Sequence, residues 1–275
     1  LVSQVGMCMG IPLSPFVSEV NIAGNGMHRK SDSHFTWIAI AFLYKERYNE
    51  TANPRTLYQK GGIAMKNTVI RSRLNPKLEV SLISGHFATR HSHNSHYIDI
   101  TRMKHEHTMA REAAMTLAQR YAYEKGVDTI VCLDGSEVIG TFLARHLAKN
   151  TLFAVNGSKN INIVTPEYDS SGLMIFRDNL IPMVAGKNIL ILISTINSGK
   201  SGRRVSECVE YYGGKVQGIA AVFSSMEELD GWPIYSLFVP SDIPNYATYA
   251  PEECEMCKAG KKIDALVNSY GLSIL

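Results

Sequence analysis

The feature that most constrains this chain is Asn188–Ile193 (NILILI), apolar without interruption from Ile189 and leading directly into the polar stretch Ser194–Gly202 (STINSGKSG). A strand apolar at every position must be covered on both faces, as happens in parallel sheets flanked by helices. The same pattern recurs upstream. Asp128–Leu133 (DTIVCL) reads as a short strand, Asp134-Gly135-Ser136 as a turn, and the residues after it place Val138, Ile139, Phe142, Leu143 and Leu147 along one helix face. Further strands are predicted over Ile161–Thr165 and Lys215–Phe223, with a helix before Gly213-Gly214 and another over Thr108–Tyr123. Gly260–Tyr270 reads as a last helix, and Pro166–Lys187, with its Ser170-Ser171-Gly172 tip, as a long mobile connection. Strand and helix signals that alternate in this way predict an α/β fold with a largely parallel central sheet flanked by helices.

Composition excludes several classes. With 45% hydrophobic and 19% charged residues in 275, the chain can bury a large core and is not fibrous or disordered. A net charge of +3 gives no broad basic footprint, so no nucleic-acid partner is expected. The apolar runs Trp37–Tyr44 and Ile189–Ile193 are far too short to span a bilayer, and no membrane partner is expected. Five cysteines, an odd number, suit reduced thiols and a cytoplasmic setting.

Residues 1–64 differ in kind, being scattered with Gly, Ser, Asn, Pro and Met without sustained period, Trp37–Tyr48 excepted. Lys60-Gly61-Gly62-Ile63-Ala64 stands directly before Met65, and its codons can spell a ribosome-binding site and spacer. The expectation is a poorly patterned N-terminal extension over 1–64, either translated upstream sequence or a true extension, and one functional domain over 65–275.

Two turns carry the chemistry. Both follow a buried strand and open a helix, where unpaired backbone N–H groups and partial positive charge favour a phosphate. In the second, Ser198 and Ser201 add donors and Lys200 adds charge. The Gly-Lys-Ser ending resembles a Walker loop, but Ser194 stands where that motif needs Gly. A capped strand-to-helix turn with no ligand is the plain alternative for either turn alone. Together, Asp134–Gly140 and Ser194–Gly202 suggest a doubly phosphorylated ligand at the carboxyl edge of the sheet.

In these residues the chain resembles the type I phosphoribosyltransferases, in particular the orotate branch. The resemblance covers about residues 79–225. It rests on Ser84-Gly85 with Tyr97-Ile98-Asp99, on VCLDGSEVIGTFLARHLA, and on NILILISTINSGKSGRRVSECVEYYGGKVQGIAAVFS. It implies a small hood over the sheet and a homodimer. It also implies 5-phosphoribosyl 1-diphosphate and Mg²⁺ as ligands, and transfer of phosphoribose to a pyrimidine-type base with release of pyrophosphate.

The residues it assigns to the diphosphate sugar are Asp134, Gly135, Ser136 and Glu137 in the first turn. In the second they are Ser194, Thr195, Asn197, Ser198, Gly199, Lys200 and Ser201. His86, Arg90 and Tyr97 in the hood are candidates to contact the base, with solvated loop positions as the alternative. No nucleophile is implied, since transfer through a cation-like ribose depends on positioning and charge. The sequence departs from the family where two adjacent acidic residues should hold the ribose hydroxyls, because Ile193 and Ser194 stand there. That departure sustains a second reading, a non-catalytic regulatory protein that binds a nucleotide or phosphoribosyl diphosphate.

Six of the nine histidines fall between His86 and His107, and Cys254-Glu255-Met256-Cys257 has half-site spacing for zinc. Cys254, Cys257, His91 and His93 are therefore candidate zinc ligands. A redox Cys pair, or simply reduced thiols beside a polar loop, would account for the same residues.

Overall fold

The structure is a computed structural model that describes residues 67–123, 126–149 and 154–275. The extension expected over residues 1–64 lies outside the described residues.

In chain order the described elements begin with strands β1 (Asn67–Arg71), β2 (Glu79–Ala88) and β3 (His93–Asp99) and helices α1 (Thr101–His105) and α2 (His107–Tyr121). There follow β4 (Thr129–Cys132), α3 (Glu137–Leu147), β5 (Asn162–Val164), β6 (Glu167–Tyr168) and β7 (Met174–Ile175). Next come β8 (Asn188–Ile196), α4 (Lys200–Tyr211), β9 (Lys215–Ser224), β10 (Glu228–Leu229) and β11 (Trp232–Phe238). β12 (Thr248–Tyr249), α5 (Glu255–Lys258), β13 (Ala265–Asn268) and β14 (Gly271–Ile274) complete the order.

The main sheet has the order β10-β11-β9-β8-β4-β5, parallel throughout except for β10. β8 lies inside it and explains its own composition. Leu190 and Leu192 enter the core beneath α2 and α3, while Ile189, Ile191 and Ile193 enter the opposite core, beneath α4. β4 divides in the same way, Ile130 and Cys132 against Val131 and Leu133. Period-2 alternation thus serves two cores at once, which is why no polar residue interrupts either run. The helices present matching stripes: Ala110, Ala113, Ala114 and Leu117 from α2, and Val205, Cys208 and Val209 from α4. Cys132 and Cys208 are buried core residues, with their thiols pushed up by burial to about 12 and about 11.

A second sheet, β12-β3-β2-β13-β14 with β1 also on β2, forms the hood. Its small core contains Ile83, Phe87, Tyr97 and Ala265. The helix expected over Gly260–Tyr270 is absent here and a hairpin takes its place, with β13 parallel to β2 and antiparallel to β14. The open edge of β2 accepts the segment as a strand, and tertiary pairing overrides its weak helical spacing. Pro166–Lys187 is likewise structured. β6 and β7 pair as a hairpin, its tip closed by the Asp169 carboxylate, which accepts from Ser171 N and Leu173 N. Arg177 bridges to Glu167 across its base at 2.8 Å. No helix among the described residues is long and apolar enough to cross a membrane.

Candidate functional site

The two turns lie side by side because their strands do. β4 and β8 pair in parallel register, Cys132 opposite Leu192, so both chains leave the sheet at the same edge. The Ser194 hydroxyl then donates to the carbonyl of Asp134 at 3.1 Å, and the Ser136 hydroxyl donates to the carbonyl of Leu192 at 3.1 Å. Both bonds fasten the first turn to the end of β8, where the second turn begins.

The geometry of each turn follows from its residues. Asp134 and Gly135 both have positive φ, 57° and 75°, which lets the chain reverse before α3 begins. Gly199 (φ 71°) is the N-cap of α4, with Lys200 as its first residue, so the free N–H groups of that helix open toward Ser198. A side chain at Gly199 would run into Leu229 and Met226 within 2.9 Å.

Along this edge a cleft of about 370 Å³ is lined by Asp134, Thr195–Gly202 and Arg204, by Tyr168 and Gly172 of the β6–β7 hairpin, and by Thr89–Ser92 of the hood. Its field is basic. His91 is held below the ordinary imidazole range by burial and by Lys200, Arg90 and Arg204. An adjoining, narrower pocket is lined by the aromatic groups Phe87, Tyr97, Phe223 and Tyr246, together with His96, Lys104, Asp134, Ser194, Thr195 and Asn197. Tyr246 packs on Phe223 with ring centroids 5.3 Å apart, and its hydroxyl donates to Asn197 Oδ1 at 3.0 Å.

Among the described residues, Asp134 is the one carboxylate that lines either cavity. Burial holds it above the ordinary carboxylate range, with Lys104 opposing and Glu137 adding to the rise. Lys104 is itself held below the ordinary ammonium range by burial, against the attraction of Asp134 and Glu137. Its ammonium donates to the carbonyl of Ser269 at 2.7 Å, and a Cβ on Gly135 would stand 2.9 Å from its Cε. Lys104 therefore lies over the first turn. Sequence reasoning missed it, because a lone lysine in a short amphipathic stretch reads as solvated.

The expected residues divide as follows. Asp134, Thr195, Asn197, Ser198, Gly199, Lys200 and Ser201 line the wide cleft, while Ser136 and Ser194 are buried beneath it as fasteners. Glu137 accepts from Thr165 beside it, at 3.0 Å. Tyr97 lines the narrow pocket and Arg90 the wide one. His86 faces neither cavity. It is fully buried, with Nε2 3.5 Å from Cys254 Sγ and 3.1 Å from His93 Nδ1. In the four-residue Cys and His cluster it stands where His91 was expected, and His91 instead lines the wide cleft. Ile193 is in the core beneath α4, so the end of β8 offers no carboxylate.

No family model matches the sequence. The curated orotate phosphoribosyltransferase of Chlorobium phaeobacteroides (strain DSM 266 / SMG 266 / 2430) is 27% identical over 192 residues, covering 67% of this chain and 88% of that protein. That of Sulfurimonas denitrificans (strain ATCC 33889 / DSM 1251) is 27% identical over 198 residues, with coverage of 66% and 90%. Among solved structures, Mycobacterium tuberculosis H37Rv orotate phosphoribosyltransferase in complex with 5-phospho-alpha-D-ribosyl 1-diphosphate matches 53% of this chain and 82% of that chain. The match has 16% identity and a TM-score of 0.40. By sequence, this α/β chain is a relative of the curated orotate phosphoribosyltransferases over two thirds of its length.

Proposed function

We propose that the chain is a cytoplasmic phosphoribosyltransferase, working as a homodimer, that takes phosphoribose from 5-phosphoribosyl 1-diphosphate and joins it to a pyrimidine-type base, orotate being the first choice. The observation that carries the reading is the pairing of two helix-opening turns across the Ser194–Asp134 hydrogen bond, at the edge of one basic cleft. Such turns bind phosphate through free N–H groups, and two in register suit a ligand phosphorylated at both ends.

On this reading Ser198–Ser201 and the start of α4 hold the 5-phosphate, with Lys200 and Arg204 supplying charge. Asp134–Glu137 and the overlying Lys104 hold the pyrophosphate. A flat base enters the narrow pocket among Tyr97, Phe223 and Tyr246. The β6–β7 hairpin covers the cleft and excludes water as positive charge develops on the ribose.

The donor set fits a Mg²⁺ ion that is held chiefly by the ligand's phosphates. Such an ion takes one or two protein carboxylates and keeps several waters, and Asp134 is the carboxylate here. When bound it would neutralise the diphosphate and stabilise it as a leaving group. Thr195 and Asn197 would meet the ribose as neutral partners where acidic residues hold it in the resembled family.

The test follows pyrophosphate release with orotate and a panel of other bases, alongside thermal stabilisation by 5-phosphoribosyl 1-diphosphate with Mg²⁺. Turnover with one base supports transfer. Stabilisation without turnover supports the regulatory reading, which the absence of a carboxylate at the end of β8 favours. The absence of both sinks the cradle.

A further inference from the structure

We propose that His86, His93, Cys254 and Cys257 form a closed zinc site that locks the hood. Their ligand atoms lie within 4.8 Å of one another. His86 Nε2 is 3.1 Å from His93 Nδ1, 3.5 Å from Cys254 Sγ and 3.7 Å from Cys257 Sγ, and His93 Nδ1 is 3.3 Å from Cys257 Sγ. In a tetrahedron with zinc–nitrogen bonds of about 2.05 Å and zinc–sulfur bonds of about 2.3 Å, the N···N edge is about 3.3 Å and the N···S edge about 3.6 Å. These four of the six edges are close to those of that polyhedron.

The orientation of His86 points the same way. Its Nδ1 is 2.9 Å from the carbonyl of Lys261 and 3.2 Å from that of Lys262. Carbonyls only accept, so Nδ1 carries the proton and the lone pair of Nε2 is aimed into the cluster. A backbone carbonyl behind the far nitrogen is the usual support of a metal-bound imidazole. The backbone prepares this aim. The β2–β3 register shifts between Ser84 and Phe87, so the bulge turns His86 out of the ladder's alternation, and Asp264 pins the turn by accepting from His86 N at 2.7 Å.

Charge and softness select the ion. Two thiolates cancel the charge of Zn²⁺, which lets the site sit beside a fully buried His86 and Cys254. Two sulfurs with two imidazoles in a tetrahedron suit zinc, and four protein ligands leave no open position, so the role is structural. The ion would fasten β2, β3 and the α5 segment together. Between His86 and His93 runs the turn Thr89–Ser92, whose Arg90 and His91 line the wide cleft opposite Lys200. The site therefore holds one wall of that cleft in place.

The test uses the untagged full chain, purified without chelator and analysed for bound metal. About one zinc per chain is expected, together with the absorption of a tetrahedral dithiolate centre when Co²⁺ replaces it. Cys257→Ser, at an exposed position, should fold and reduce stoichiometric zinc to near zero, whereas His91→Ala should keep it. Neither zinc nor the cobalt spectrum in folded protein would overturn the site. So would undiminished metal in both Cys257→Ser and His86→Ala, or a Cys254–Cys257 disulfide in protein kept under reducing conditions. None of these readouts depends on phosphoribosyl transfer.

Discussion

The Ser194 hydroxyl donates to the Asp134 carbonyl at 3.1 Å across 60 residues of sequence, and this bond holds one phosphate-type turn against the other. Ser194 is almost fully buried, so water cannot readily replace the bond. Ser194→Ala should cost about 1 kcal/mol in denaturant unfolding, the usual net value of a buried hydrogen bond. It should also weaken 5-phosphoribosyl 1-diphosphate binding through loss of alignment. Titration calorimetry on the folded variant checks the second effect separately from the first.

Lys200 opens α4 at the cradle and lies on the surface, so its removal should touch binding and leave the fold alone. Lys200→Ala is expected to weaken the diphosphate sugar by about tenfold to a hundredfold, the range for a charge-assisted contact. The effect should shrink as salt is raised. Unchanged titration heats would contradict the assignment of this turn to a phosphate.

At Gly199 the backbone is left-handed (φ 71°), and an added Cβ would meet Leu229 Cδ1 and Met226 Sδ at 2.9 Å. Gly199→Ala should combine about 1–2 kcal/mol of backbone strain with displacement of the β10 side chain. The expected result is a lower melting temperature together with weaker ligand binding, measured by thermal unfolding with and without ligand. Gly213 also has positive φ but open space around it, so Gly213→Ala should show the strain alone.

Asp134 is held above the ordinary carboxylate range, chiefly by burial. Its proton is therefore retained to higher pH than that of a solvated aspartate, and the charged form that the proposed Mg²⁺ site would need is lost earlier as pH falls. Asp134→Asn should reduce Mg²⁺-dependent affinity by roughly tenfold at neutral pH, where one charge-assisted interaction is removed. The ratio of wild-type to variant affinity should decline toward one on acidification. A ratio independent of pH would remove Asp134 from the ion's ligands.

What could be read from the sequence depended on whether a residue's role was local. The strands around Ile130 and Leu190, and the helices that follow them, announce themselves by period and by buried composition. The two turns follow directly from those boundaries. The hood does not. β13 is a strand only because β2 offers an edge, and no local pattern in Ala265–Asn268 reports that edge. The hood implied by the resemblance makes His86 a candidate for base contact beside Tyr97, and Tyr97 does line the narrow pocket. The bulge at Gly85-His86 reverses that inference, and a bulge leaves little trace in period-2 reasoning beyond its glycine. Lys104 was missed for a related reason, since its partner, the carbonyl of Ser269, comes from a turn 165 residues away.

The parallel pairing of β13 with β2 has a consequence for biosynthesis. Leu266 must find Ala88 across most of the described chain, so the hood sheet gains that strand only after the segment through β13 has left the ribosome. The β4-β8-β9 body can close earlier from neighbouring units. A nascent chain stalled before Ala265 would thus carry a finished floor under a roof still missing its β13–β14 hairpin.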